Sequence, residues 1–266
     1  MPPFLAYTDR DPGTGRIPLL LVHGHPFDRT MWDPQLAEFS AARRVIAPDL
    51  RGYGASPVTP GTVPLSRHAR DLADLLDLLD VDAFVLAGLS MGGQIAMECY
   101  DRLGDRIRGL VLADTFPDPE TPEGRQGRNA MADRLLAEGM RGYADEVLER
   151  MVAPYAHPGV KAHVHRMMTA TAPEGAAASL RGRAERPDYR ALLTRVTVPA
   201  LVVVGADDTY TPVSDAEAMH AALPDSALHV VEGAAHLPNL ERPAEFNRVL
   251  GDFLARLDGP LVGSAP

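Results

Sequence analysis

The sequence predicts an α/β fold, a mostly parallel central sheet with helices on both faces and an all-helical cap inserted after the strand ending at Asp114. Three observations carry this. Short apolar runs of strand length alternate with helical stretches over most of the chain, as a parallel sheet with helical crossovers requires. Between Phe116 and Val196 the alternation stops, and only helical stretches remain. Gly88-Leu89-Ser90-Met91-Gly92-Gly93 lies between the strand-like run Ala83–Ala87 and the helix-like run Gln94–Tyr100, so the chain turns sharply at Ser90.

Taken in order, Phe4 to Thr8 reads as an early strand and Asp11–Gly15 as a turn. Ile17 to Val22 is apolar almost throughout, as a strand covered on both faces should be. Met31 to Phe39 spaces Trp32, Leu36 and Phe39 as a helix would. Arg44 to Pro48 is the next strand. Ser66 is expected to cap a helix to Leu79 with Leu72, Leu75, Leu76 and Leu79 on one stripe. The strand Gly109–Ala113 follows the Ser90 helix. Helices are expected at Glu123–Glu138, Met140–Val152, Val160–Thr171 and Pro173–Glu185, the last ending because Pro187 disfavours helix at Arg186. Strands Ala200–Val204 and Ala227–Val231 alternate with helices Ser214–Ala222 and Pro243–Leu257. The expected division is 1–115 and 197–258 as the sheet domain, 116–196 as the cap, and 259–266 as a disordered tail.

The 266 residues, 45% hydrophobic, suffice for one large α/β domain with a sizeable core. A formal net charge of −10 without a basic patch argues against nucleic acid and anionic membrane surfaces as partners. The lone cysteine, Cys99, excludes an internal disulfide and a cysteine-rich metal site, and its helical spacing from Ile95 marks it as core. No signal-peptide pattern opens the sequence and no apolar run spans a membrane. The expectation is a cytoplasmic protein acting on a small molecule, with no cofactor and no metal.

The Ser90 turn carries chemistry. Gly88 and Gly92 let strand and helix pass close on either side, and the strained turn lifts the serine clear of the sheet. The new helix points free N–H groups at the same place. A serine nucleophile needs a base, and the base an orienting acid. The loop after Ala200–Val204 holds Asp207 and Asp208, and the loop after Ala227–Val231 holds His236. Both follow strand ends on the side where Ser90 emerges. Asp208 and His236 are the candidates, with Asp114 as the rival acid whose plainer role is to cap the entry into the helical segment. The oxyanion donors are expected to be the backbone N–H groups of Met91 and of His25 in His23-Gly24-His25-Pro26. His157, His163 and His165 are expected to be solvated or pocket-lining, and His68, His220 and His229 to lie on helix or strand surfaces.

These motifs resemble those of the α/β-hydrolase superfamily over nearly the whole chain. They are His23-Gly24-His25-Pro26, Asp49-x-Arg51-Gly52-x-Gly54-x-Ser56, Gly88-x-Ser90-x-Gly92-Gly93, Gly205-x-x-Asp208-x-x-x-Pro212 and Gly233-x-x-His236-x-x-x-x-Glu241. The resemblance places the acid at Asp208 rather than Asp207. It implies a mainly structural role for Asp49, Arg51 and Gly52, while Glu241 reads as a helix-start charge. Within the superfamily the chain looks like the aryl esterases, cofactor-free haloperoxidases and 3-oxoadipate enol-lactonases, although relatives often carry an apolar residue at the His25 position. The implied chemistry is hydrolysis of a carboxylic ester or lactone through Ser90, His236 and Asp208. C–C hydrolysis, a lyase or acyl-transfer step, or ligand sensing on the same fold are the alternatives. Met131, Met140, Met151, Met167 and Met168 suggest an apolar pocket, or else ordinary helix packing.

Overall fold

The computed structural model of the chain describes residues 5–258. The tail at 259–266 and the expected strand start at Phe4 lie outside the described residues. Seven strands form one sheet in the order β1-β3-β2-β4-β5-β6-β7. They are β1 (Tyr7–Arg10), β2 (Leu19–Val22), β3 (Val45–Pro48), β4 (Phe84–Leu89), β5 (Ile107–Ala113), β6 (Ala200–Gly205) and β7 (Ser226–Val231). Only β1 is antiparallel; it pairs with β3 from Tyr7↔Pro48 to Arg10↔Val45. That pairing starts the strand three residues later and ends it two residues later than the apolar run suggested.

Strand periodicity divides the core. Leu20, Ile46, Leu86, Leu110 and Val202 point to one face, with Leu72, Leu76, Ile95 and Met219 packed on them. Leu19, Leu21, Val85, Val111 and Leu201 point to the other, against Trp32, Phe246, Leu250 and Phe253. Neighbouring residues of one strand therefore serve opposite cores, which explains the unbroken apolar runs. Each fully buried Leu or Val of this kind contributes about 1.5–3 kcal/mol by leaving water.

Helices α1 (Asp33–Phe39), α2 (Leu65–Leu78), α3 (Met91–Leu103), α9 (Val213–Ala222) and α11 (Pro243–Asp258) cover the sheet. Between β5 and β6 lie α4 (Pro122–Glu138), α5 (Arg141–Met151), α6 (Pro158–Ala170), α7 (Pro173–Arg183) and the four-residue α8 (Arg190–Leu193). Two short helices, α8 and α10 (Pro238–Glu241), escaped the sequence reading because four residues show no period. Met31 and Trp32 belong to a 3₁₀ turn, Arg29–Trp32, capped by the Asp28 side chain, rather than to α1. Ser66 is not a cap: α2 begins at Leu65 after Pro64, whose extended backbone ends the preceding loop without a side-chain cap. His68 is not on a surface either. It is fully buried beside Ser179, and burial pushes its pKa down to about 3.

The helical segment meets the sheet domain at glycines. Gly52 (φ +85°) in the loop after β3 and Gly175 in α7 touch backbone to backbone, so a Cβ on Gly175 would fall on the Gly52 carbonyl oxygen. Neither backbone can give without moving a whole element. Gly175→Ala should therefore destabilise the protein by about 1–3 kcal/mol and lower the Tm by several degrees. Gly142→Ala, in a helix where an added Cβ meets nothing within 4 Å, should leave the Tm equal or higher. Equal melting curves for Gly175→Ala and wild type would refute this contact.

Candidate active site

Ser90 directly follows β4 and immediately precedes α3, at φ 58° and ψ −118°. Such a conformation costs a non-glycine residue roughly 1–3 kcal/mol and persists only when its surroundings enforce it. They do so here. The Ser90 N–H donates to Ala113 O at 2.9 Å. Its carbonyl accepts from Gly93 N, Gln94 N and the Thr115 hydroxyl, the last at 2.8 Å. A Cβ on Gly88 would strike Gly92, and one on Gly92 would strike the β2 carbonyl of Val22. The turn thus needs glycine on both sides, while Ser90 stays at the mouth of a cavity of about 190 Å³.

His236, in the loop after β7, lines the same cavity and is buried. Its Nδ1 is 2.7 Å from Asp208 Oδ2, which leaves Nε2 as the ring nitrogen not engaged by that carboxylate. Asp208 is held rigidly. The Tyr210 and Thr211 N–H groups donate to Oδ1 at 2.7 and 3.2 Å, and the Thr211 hydroxyl donates to Oδ2. Burial alone would raise the Asp208 carboxyl, but His236 and these donors outweigh it and hold its pKa below the usual value. Its neighbour Asp207 turns outward and accepts a hydrogen bond from Tyr155.

Asp114, the rival acid, stands close by. Asp114, Asp208 and His236 each bring a side-chain atom within 4.8 Å of the others. The residue does not cap the helical segment as expected. Its Oδ1 accepts the Gly205 N–H at 2.9 Å and so ties the end of β5 to the end of β6, at φ 44°. Its Oδ2 is buried without a partner. Burial, then the charge of Asp208, raises its pKa well above its ordinary value, so the two neighbouring carboxyls are shifted in opposite directions. Three such groups can in general ligate a cation. Here Asp208 is bonded to His236 and Asp114 Oδ1 to the Gly205 N–H.

Among the described residues, the backbone N–H groups of Met91 and His25 have no hydrogen-bond partner. His25 lines the cavity with its imidazole; Nδ1 is 2.7 Å from Tyr53 Oη, and burial, then the charges of Arg183 and Arg128, holds its pKa well below 6.5. His23 is structural, with Nδ1 against Gly24 O and Nε2 accepting the Leu50 N–H. Asp49 accepts the N–H groups of Arg29 and Ala55, and Arg51 forms a buried pair with Asp71. Glu241 stands in the first turn of α10, as a helix-start charge would, but it also reaches back, accepting the N–H groups of Ala235 and Leu237 on either side of His236 and that of Ala153 after α5.

The helical segment supplies much of the cavity wall: Phe116, Arg128, Tyr143, Met151, Leu180 and Arg183. Sequence reasoning missed the arginines. Arg183 follows Ser179 and Leu180 by four and three residues on the buried side of an alanine-rich helix, and a cation on a buried stripe was the available signal. Of the five methionines, only Met151 lines the cavity, while Met140, Met167 and Met168 are buried in the core and Met131 packs against it. His157 caps α6, and His163 and His165 bond Thr30 O and Asp145. None of the three lines the cavity. No described helix is long and apolar enough to cross a membrane.

Comparison with known proteins accords with this architecture. Residues 19–249 match the Alpha/beta hydrolase family. A thermophilic esterase from Thermogutta terrifontis, in a malate-bound structure, is 40% identical with a TM-score of 0.92, covering 96% of this chain and 94% of that one. The enol-lactonase from Burkholderia xenovorans is 29% identical with a TM-score of 0.87, covering 94% and 96%. The 3-oxoadipate enol-lactonase 1 of Acinetobacter baylyi is 27% identical over 233 residues, 85% of this chain and 84% of that protein.

The raised pKa of Asp114 gives a pH test. A carboxyl with a raised native pKa contributes stability that is fully present below its unfolded pKa and is lost as pH rises through the native one. Asp114→Asn, which keeps an oxygen for the Gly205 N–H and cannot ionise, should lose less Tm than wild type as pH rises from about 4. Parallel Tm–pH curves for the two proteins would contradict a raised Asp114 pKa. By sequence, fold and motif, the chain belongs to the alpha/beta hydrolase family.

Proposed function

We propose that the protein is a serine hydrolase cleaving a carboxylic ester or lactone through an acyl-enzyme. The observation that carries this is the His236 Nδ1–Asp208 bond of 2.7 Å in a cavity that Ser90 also lines. The esterase and enol-lactonase relatives support the substrate class.

In this reading His236 Nε2 takes the Ser90 proton as Oγ attacks the carbonyl carbon. Asp208 fixes the tautomer and stabilises the imidazolium that forms. The Met91 and His25 N–H groups bind the oxyanion, their lack of other partners leaving them free for it. His236 then gives its proton to the leaving alkoxide, and the acyl group stays on Ser90. Water, deprotonated by the same imidazole, releases the acid and restores the serine. Residues 116–196 act as a cap, since Arg128, Tyr143, Met151, Leu180 and Arg183 line the cavity from there. Glu241 couples the two parts, because one carboxylate holds the His236 loop and the chain after α5.

Two substitutions test the assignment on a panel of p-nitrophenyl esters of rising acyl length and several lactones. Ser90→Ala should fold as wild type and lose kcat by at least about three orders of magnitude. Asp208→Asn should lower kcat about 10⁴-fold through the wrong imidazole tautomer, whereas Asp114→Asn should stay near wild type. Turnover surviving in well-folded Ser90→Ala, or a large loss confined to Asp114→Asn, would overturn the assignment.

A further inference from the structure

Among the described residues, one buried cation on the cavity wall joins no salt bridge. Arg183, at the end of α7, is 8% exposed and lines the cavity with Ser90 and His236. Among the described residues its only hydrogen bond runs from Nε to the neutral Gln94 amide oxygen at 3.2 Å, and it joins no salt bridge. The other buried arginines differ. Arg43 pairs with Asp258, Arg51 with Asp71, and Arg186 with Glu120. Glu120 also holds Arg128, the second arginine on the cavity wall. One carboxylate therefore serves two guanidiniums, and none serves the third.

A guanidinium stays charged in proteins, and a buried charge without a partner costs several kcal/mol. Burial, then Arg128 and Arg186, pushes the Arg183 pKa well down, so the neighbours aggravate the imbalance. The protein's net charge of −10 offers no general reason for cations to gather here. The cavity wall supplied by the helical segment has no carboxylate: besides Arg183 and Arg128 it carries Phe116, Tyr143, Met151 and Leu180. The planar fork of an arginine suits a carboxylate held by two parallel hydrogen bonds.

We infer that the cavity binds substrates carrying a carboxylate remote from the scissile bond, with Arg183 as its partner and Arg128 beside it. This rests on the reading of the cavity as a hydrolase site. The substrate is then a half-ester of a small dicarboxylic acid. Water cleaves the acyl–oxygen bond, the new carboxylate forms at the Ser90 end, and the alcohol leaves with the proton from His236. A pocket selected only for apolar acyl chains would leave Arg183 uncompensated in every complex.

The test compares monomethyl glutarate with methyl pentanoate, which differ by the remote carboxylate, together with calorimetric binding of glutarate to Ser90→Ala. Wild type should favour the half-ester in kcat/KM, and in Arg183→Gln the ratio between the two esters should fall about 10- to 100-fold. Arg183→Lys should keep part of the ratio, and it serves if the glutamine variant does not fold. Glutarate should bind Ser90→Ala, and its affinity should drop with Arg183→Gln in that background. Ser90-dependent hydrolysis that favours methyl pentanoate, with no glutarate binding, would overturn the carboxylate site and leave the hydrolase standing. Glutarate bound through Arg183 without Ser90-dependent turnover of either ester would keep the carboxylate site and overturn the hydrolase.

Discussion

The close passage of β4 and α3 at Gly88 and Gly92 is the constraint on which the rest depends. The Gly92 backbone lies so near the β2 carbonyl of Val22 that no side chain fits between them. That contact forces Ser90 into its positive φ and keeps it at the cavity. It also leaves the Met91 N–H at the start of a helix, where no intrahelical acceptor exists. The strain at one residue is maintained by bonds to β5 and to Thr115, so the sheet core stabilises the turn.

Around this turn the sheet sets out two carboxyls with opposite pKa shifts. Asp208 receives backbone and hydroxyl donors and the His236 ring, which hold its pKa down. Asp114, a strand away, receives one N–H, and burial and the repulsion of Asp208 push its pKa up. Placement of the donors, not residue type, decides which carboxyl can orient an imidazole. Asp207 shows the same logic in another way, since it turns outward to Tyr155.

Features local in sequence were legible before the fold was known. The strand–Gly-x-Ser-x-Gly–helix order placed the turn at Ser90, and the strand ends at Val204 and Val231 placed the Asp208 and His236 loops. The long apolar strands and most helices follow from periodicity. What escaped depends on contacts distant in the chain. Glu241 bonds Ala153, 88 residues away, and so is no simple helix-start charge. Arg183 meets Ser90 only because α7 folds back over the sheet, where Gly175 touches Gly52 and Gly182 touches Val63. Of the two readings of the methionines, ordinary helix packing holds for all but Met151, for the same reason. Helical spacing identifies a buried face, but whether that face meets a cavity or another helix is a tertiary matter.

The central claim is that Ser90 is an activated nucleophile, and covalent labelling tests it most directly. Treating the protein with a fluorophosphonate and weighing it intact should give a single adduct. Peptide mapping should place it on Ser90, and Asp208→Asn should slow its formation. No adduct on the folded protein, or an adduct at another residue that persists in Ser90→Ala, would contradict the account.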